Sequence, residues 1–106
     1  MLPKRKRVTK DLFSHIMKNG RVLSSPLFTL RYINQKTPQY AFVAPKTIIK
    51  QAVSRNKLRR KGYAVLSQTK TLPNVLGVFF YKKQAHTAAF IDIKADIDAL
   101  LNKISI

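Results

Sequence analysis

Val75-Leu76-Gly77-Val78-Phe79-Phe80-Tyr81 is seven consecutive residues with no charge or amide among them, closed by Lys82-Lys83. A run this short, rich in Val and aromatics, reads as a strand, and the lack of alternation places it in the centre of a sheet with both faces covered. On its N-terminal side, Ser67 to Asn74 reads as a loop holding Pro73. On its C-terminal side, Ile93, Ile97, Leu100, Leu101 and Ile104 recur at helical spacing and mark an amphipathic helix. Asp92, Asp96 and Asp98 fall in its first turns, where the macrodipole favours negative charge.

Two more strands are expected upstream. After Pro26, Phe28, Leu30 and Tyr32 alternate with Thr29 and Arg31, a period of two. Asn34 to Pro38 is turn material, and Tyr40-Ala41-Phe42-Val43 is a second strand ending at Pro45, so the two are expected to form a hairpin. Before them, Thr9 is placed to cap a helix with a Leu12, Phe13, Ile16, Met17 stripe, and Gly20 ends it. Between the strand pair and the apolar run lies a Pro-free segment from Thr47 to about Leu66, read as one long helix. Its buried seam, Ser54, Leu58 and Val65, is narrow, and Gly62 is expected to fray or end it. The order is α-β-β-α-β-α, in one domain over residues 1–106 with a basic arm at residues 1–8.

Charge then restricts what such a domain does. The 106 residues hold 21 Lys or Arg against 4 acids, a formal charge of +17. On so small a body this charge repels itself, and a polyanionic partner relieves the repulsion. Hydrophobic residues make up 45% of the chain, enough for a small core, which sets it apart from the disordered class. There is no Cys, hence no disulfide framework, thiol nucleophile or Cys-held zinc. No apolar run reaches the ~20 residues of a membrane span, and Lys4-Arg5-Lys6-Arg7 is followed by no apolar h-region, so export is not expected. An anionic membrane would call for a broad apolar face beside the cations, and the cationic segment has only its seam. Nucleic acid is the partner that fits.

The cations concentrate in Arg55-Asn56-Lys57-Leu58-Arg59-Arg60-Lys61, on the long helix. Arg59 and Arg60 point in different directions, suited to phosphates spread along a groove or junction. Asn56, a poor helix former, implies a directed hydrogen bond to RNA or to a neighbouring loop. Protein-borne catalytic groups are scarce. Asp92 and Asp96 share a helix face and would allow a one-metal nuclease, but helix-end stabilisation accounts for them without a metal. His15 and His86 lie on distant elements. Phe42, Phe79 and Phe80 are assigned to the core, whereas Phe13, Tyr32 and Arg31 would suit a single strand on an open sheet face.

The sequence resembles the protein subunit of bacterial ribonuclease P. The likeness is carried by Arg7-Val8, Asp11-Leu12-Phe13, Asn19-Gly20-Arg21 and Ser25-Pro26-Leu27-Phe28-Thr29-Leu30, and more specifically by Ala52-Val53-Ser54-Arg55-Asn56-Lys57-Leu58-Arg59-Arg60. The resemblance implies an α+β fold, a two-layer α/β sandwich with a left-handed β-α-β crossover holding the basic helix. It implies a non-catalytic subunit of an endoribonuclease in which a large RNA holds the Mg2+ ions and removes the 5′ leader of precursor tRNA. Arg55, Asn56, Lys57, Arg59, Arg60 and Lys61 would bind that RNA, Phe13, Met17, Arg31 and Lys46 would line a cleft for the leader, and Lys4, Arg5, Lys6 and Arg7 would form a basic arm. No protein-held metal, no membrane and no small-molecule substrate is implied, and the location is cytoplasmic. The chain departs from the family pattern with Met17 where an aromatic is frequent, and with Tyr63, after Gly62, where the motif's last Arg is usual. The competing readings are a small basic ribosomal protein with a structural rRNA-binding role and the Asp92/Asp96 nuclease.

Overall fold

The computed structural model describes residues 10–69 and 71–104, with side chains from residue 14 onward. The basic arm Lys4 to Arg7, the Thr9 cap and the side chains of Leu12 and Phe13 lie outside the described residues. Helix α1 (Lys10–Asn19) is followed by strands β1 (Arg21–Ser24), β2 (Phe28–Asn34) and β3 (Gln39–Val43), helix α2 (Ala52–Gln68), strand β4 (Val75–Tyr81), a 3-10 turn (Lys83–Thr87) and helix α3 (Phe90–Lys103). The strands form one mixed sheet in the order β1-β2-β4-β3.

β4 is central, as its unbroken apolar sequence requires. It pairs antiparallel with β2, from Phe28↔Tyr81 to Asn34↔Val75, and parallel with β3, from Gln39↔Leu76 to Val43↔Phe80. The expected β2–β3 hairpin is therefore absent: β4 lies between the two strands. Joining β2 to β3 directly would push the apolar β4 to an edge with one flank of its backbone unpaired. The hairpin is instead β1–β2, Arg21↔Tyr32 to Ser24↔Thr29, and β1 is a strand the hydropathy pattern does not announce. Its four residues form a mostly exposed edge, with Val22 half exposed.

Alternation along β4 splits the core in two. Val75, Phe79 and Tyr81 face α2 and α3, together with Phe28, Leu30 and Tyr32 of β2 and Tyr40 and Phe42 of β3. Here Phe42 and Phe79 stack, with centroids 4.9 Å apart and planes 10° from parallel, and Phe28 tilts against Tyr81 at 4.6 Å. α3 contributes Ile93, Ile97, Leu100 and Leu101, and Ile104 follows it; all five belong to the apolar stripe seen in the sequence. Leu76 and Val78 face the other way and are covered by Ile16 of α1, with half-buried Ile33, Ala41, Val43 and Phe80 around them. The sheet and the α2/α3 layer make the main sandwich, and α1 covers part of the sheet's second face.

Asp96 fastens α3 to the β1–β2 turn. One carboxylate oxygen accepts hydrogen bonds from the Ser25 hydroxyl and the Leu27 amide, both at 2.8 Å. Lys82 adds a second tie to the same turn, donating to the Ser24 hydroxyl at 2.6 Å and the Ser25 carbonyl at 2.7 Å.

Candidate nucleic-acid interface

The basic helix starts later and runs further than its sequence suggests. Residues 46–49 form a separate turn, with the amides of Ile48 and Ile49 both donating to the Pro45 carbonyl. Ile49 is buried in the core, and the backbone is extended at Gln51 before α2 begins at Ala52. The Arg55 guanidinium donates to the carbonyls of Ile49 (3.0 Å) and Lys50 (2.8 Å), so this cation of the motif braces the helix start. α2 has no acidic residue in its first turn and no side-chain cap.

Gly62, expected to weaken the helix, lies buried inside it. A Cβ built on Gly62 would sit 2.5 Å from Cδ1 and Cε1 of Phe42 and 2.7 Å from the Tyr81 hydroxyl oxygen. The ~1 kcal/mol of helix propensity lost to glycine is offset by close approach of the helix to two aromatic rings. The Tyr81 hydroxyl donates to the Leu58 carbonyl within this contact, and burial pushes its pKa above the usual tyrosine range. Leu58, Gly62, Val65 and Leu66 form the buried seam; Ser54, the third residue of the expected seam, is half-buried.

The opposite surface of α2 carries the charge. Lys57 and Arg60 are exposed, and Arg59 and Lys61 are half-buried. Arg60, Lys57 and Lys61 form no hydrogen bond or ion pair with any other described residue. The Asn56 side-chain oxygen accepts from the Arg59 guanidinium one turn on, so its directed hydrogen bond stays within the helix. Asn56, Arg59, Arg60, Tyr63 and Ala64 line an open groove of about 550 Å³. This arrangement offers guanidinium donors and an amide to an anionic polymer.

The residues expected in the leader cleft are only partly brought together. Arg31 shares the sheet face of Ile33, the side covered by α1, and Met17 of α1 is exposed, 40% of its surface reaching solvent. Lys46 is exposed past the end of β3, two strands across the sheet from Arg31, at the turn leading into α2. Tyr32 is buried on the α2/α3 face, so it does not reach the α1 side. Phe80, assigned to the core with Phe42 and Phe79, is half-buried on the α1 face beside Thr29 and Val43. Its parity within β4, odd against Phe79, is the signal that separates the two.

No group of three or more His, Asp or Glu that could hold a metal is found among the described residues. Among the described residues the His15 ring bonds with Asn19 alone, four residues on, and His86 is exposed in the 3-10 turn. Asp96, half of the nuclease alternative, is occupied by its ties to Ser25 and Leu27. None of the described helices is long and apolar enough to cross a membrane.

Comparison with known proteins agrees with this architecture. A Ribonuclease P protein component from a Nitratiruptor species is 35% identical over 97 residues, 91% of this chain and 88% of the relative. A Staphylococcus aureus RNase P protein mutant with defective mRNA degradation activity superposes with a TM-score of 0.84 at 19% identity, covering 93% of this chain and 87% of the other. The RNase P protein from Thermotoga maritima gives 0.80 at 20% identity, covering 89% and 92%. At those identities the two structures speak for the fold. The Ribonuclease P family model matches residues 2–105, which takes in every element from α1 to α3, and on that match the chain belongs to the ribonuclease P protein family.

Proposed function

We propose that this chain is the RNA-binding subunit that assists the catalytic RNA of ribonuclease P in endonucleolytic removal of the 5′ leader from precursor tRNA. α2 docks on the RNA through Asn56, Lys57, Arg59, Arg60 and Lys61, with Arg55 bracing the helix. The α1 face, with Phe13, Met17 and Arg31, receives the single-stranded leader, and Lys46 supplies charge at the end of β3. The arm Lys4 to Arg7 adds phosphate contacts. The RNA and substrate hold Mg2+, and the site of action is the cytoplasm.

The observation that carries this reading is the asymmetry of α2. Its seam is fixed to an aromatic core, while its outer cations have no acidic partner among the described residues. A rigid, uncompensated cationic strip is what phosphate recognition asks of a helix.

Reconstitution tests it. Added to a cognate ribonuclease P RNA at low magnesium, the full chain should restore cleavage of precursor tRNA, and the chain alone should cleave nothing. Absence of rescue, or cleavage by the protein alone, defeats the proposal. If about six phosphates are neutralised, affinity for the RNA falls by about three decades between 50 and 200 mM salt. Phe13→Ala and Arg31→Ala should leave RNA docking intact and weaken binding of long-leader substrates only; equal losses on leaderless substrates would remove the α1 face from the account.

A further inference from the structure

The groove on α2 is lined by an aromatic residue, Tyr63, that phosphate docking does not use. Asn56, Arg59, Arg60, Tyr63 and Ala64 are spaced i, i+3, i+4, i+7 and i+8, so they form a single stripe along the helix. Tyr63 stands near the C-terminal end of this stripe, just before Ala64. Its ring is half-buried and held by Phe42 in an edge-on contact, centroids 5.0 Å apart and planes at 76°. Ala64 beside it is small and leaves the end of the groove open. A cavity of about 550 Å³ is within the ~300–1,000 Å³ typical of sites for small organic groups, so it is roomy for one nucleotide.

Accepting that α2 docks on RNA, we propose that this groove takes a single unpaired nucleotide of that RNA. The base packs on Tyr63, and its flanking phosphates lie against Arg59 and Arg60. Three features of the stripe suit that occupant. The Tyr63 ring is positioned in advance by Phe42, so little side-chain freedom is lost on stacking. The Asn56 oxygen is engaged by Arg59, which steadies that guanidinium and leaves the Asn56 amide N–H groups to donate to a base edge. Arg60, with no bond to another described residue, is available to a phosphate. A continuous duplex would present phosphates to the arginines but no base face to the tyrosine.

The test measures binding of the full chain to a cognate ribonuclease P RNA as a function of salt. Tyr63→Ala should weaken binding about tenfold with the slope of log Kd against log salt unchanged, because a stacking contact releases no counterion. Arg60→Ala should weaken it and lower the slope by about one. Tyr63→Phe should restore wild-type affinity, whereas Tyr63→Leu, which keeps apolar packing against Phe42 without an aromatic face, should not. Wild-type affinity in both the Ala and Leu variants overturns the proposal while the docking role stands; no binding by the wild-type chain defeats the docking role itself. Should the Tyr63 variants fail to fold, ultraviolet crosslinking of the wild-type complex decides. A crosslink from Tyr63 to one unpaired base supports the proposal, and crosslinks that avoid Tyr63 or fall only in paired RNA refute it.

Discussion

α2 and α3 lie side by side on one sheet face and each buries four residues, yet they differ in nearly everything else. α3 carries three of the chain's four acids; Asp98 pairs with Lys94, and Asp96 is tied to the β1–β2 turn. α2 has five cations between Arg55 and Lys61 and no acid. Equal burial thus serves opposite ends. Two of the three acids of α3 are engaged by other residues of the fold, and the cations of α2 have no acidic partner among the described residues.

The largest effect is expected at the outer face of α2. Replacing Arg59 and Arg60 together with Ala should weaken binding to ribonuclease P RNA about a hundredfold and change unfolding free energy by less than ~0.5 kcal/mol, measured by filter binding and urea denaturation. A loss of stability instead would mean that these arginines belong to the fold. Gly62→Ala probes the inner face. The extra methyl would meet Phe42 and Tyr81, and despite the gain in helix propensity the variant should be destabilised by about 2 kcal/mol in urea. Wild-type stability there would show that the seam yields easily.

On α3 the expected effects fall on stability. Asp96→Ala strips the Ser25 hydroxyl and the Leu27 amide of their acceptor and should cost about 1.5 kcal/mol, with loosened hydrogen exchange in the β1–β2 turn. An unaffected turn would leave Asp96 without its structural role. The smallest effect is expected at Lys94→Ala. The 2.8 Å pair with Asp98 is 44% and 39% exposed, so its removal should cost about 0.3 kcal/mol and vanish in high salt.

Local pattern was enough where one element's own residues decide its state. The unbroken apolar run from Val75 to Tyr81 marks the central strand, and the stripe from Ile93 to Ile104 marks the last helix. Pattern falls short where a remote segment decides. Phe28–Asn34 and Gln39–Val43 read locally as neighbours in a hairpin, and only competition for both edges of β4 separates them. Arg21–Ser24 is too short and exposed to show a period. Gly62 carries a local penalty that is reversed by aromatic rings from β3 and β4. In the candidate interface, the cationic run was plain from composition, but Arg55 turning back to the Ile49 and Lys50 carbonyls, and Asn56 to Arg59, are matters of side-chain direction that spacing does not encode.

The place of β4 between β2 and β3 has a consequence for how the molecule is made. During synthesis the two flanking strands emerge well before the segment that must be inserted between them, and the intervening helix emerges before it as well. Sheet closure is a late, non-local event. Until it happens, a polycation with half-finished hydrophobic surfaces is exposed at the ribosome, and early engagement by an anionic polymer would shield it from aggregation.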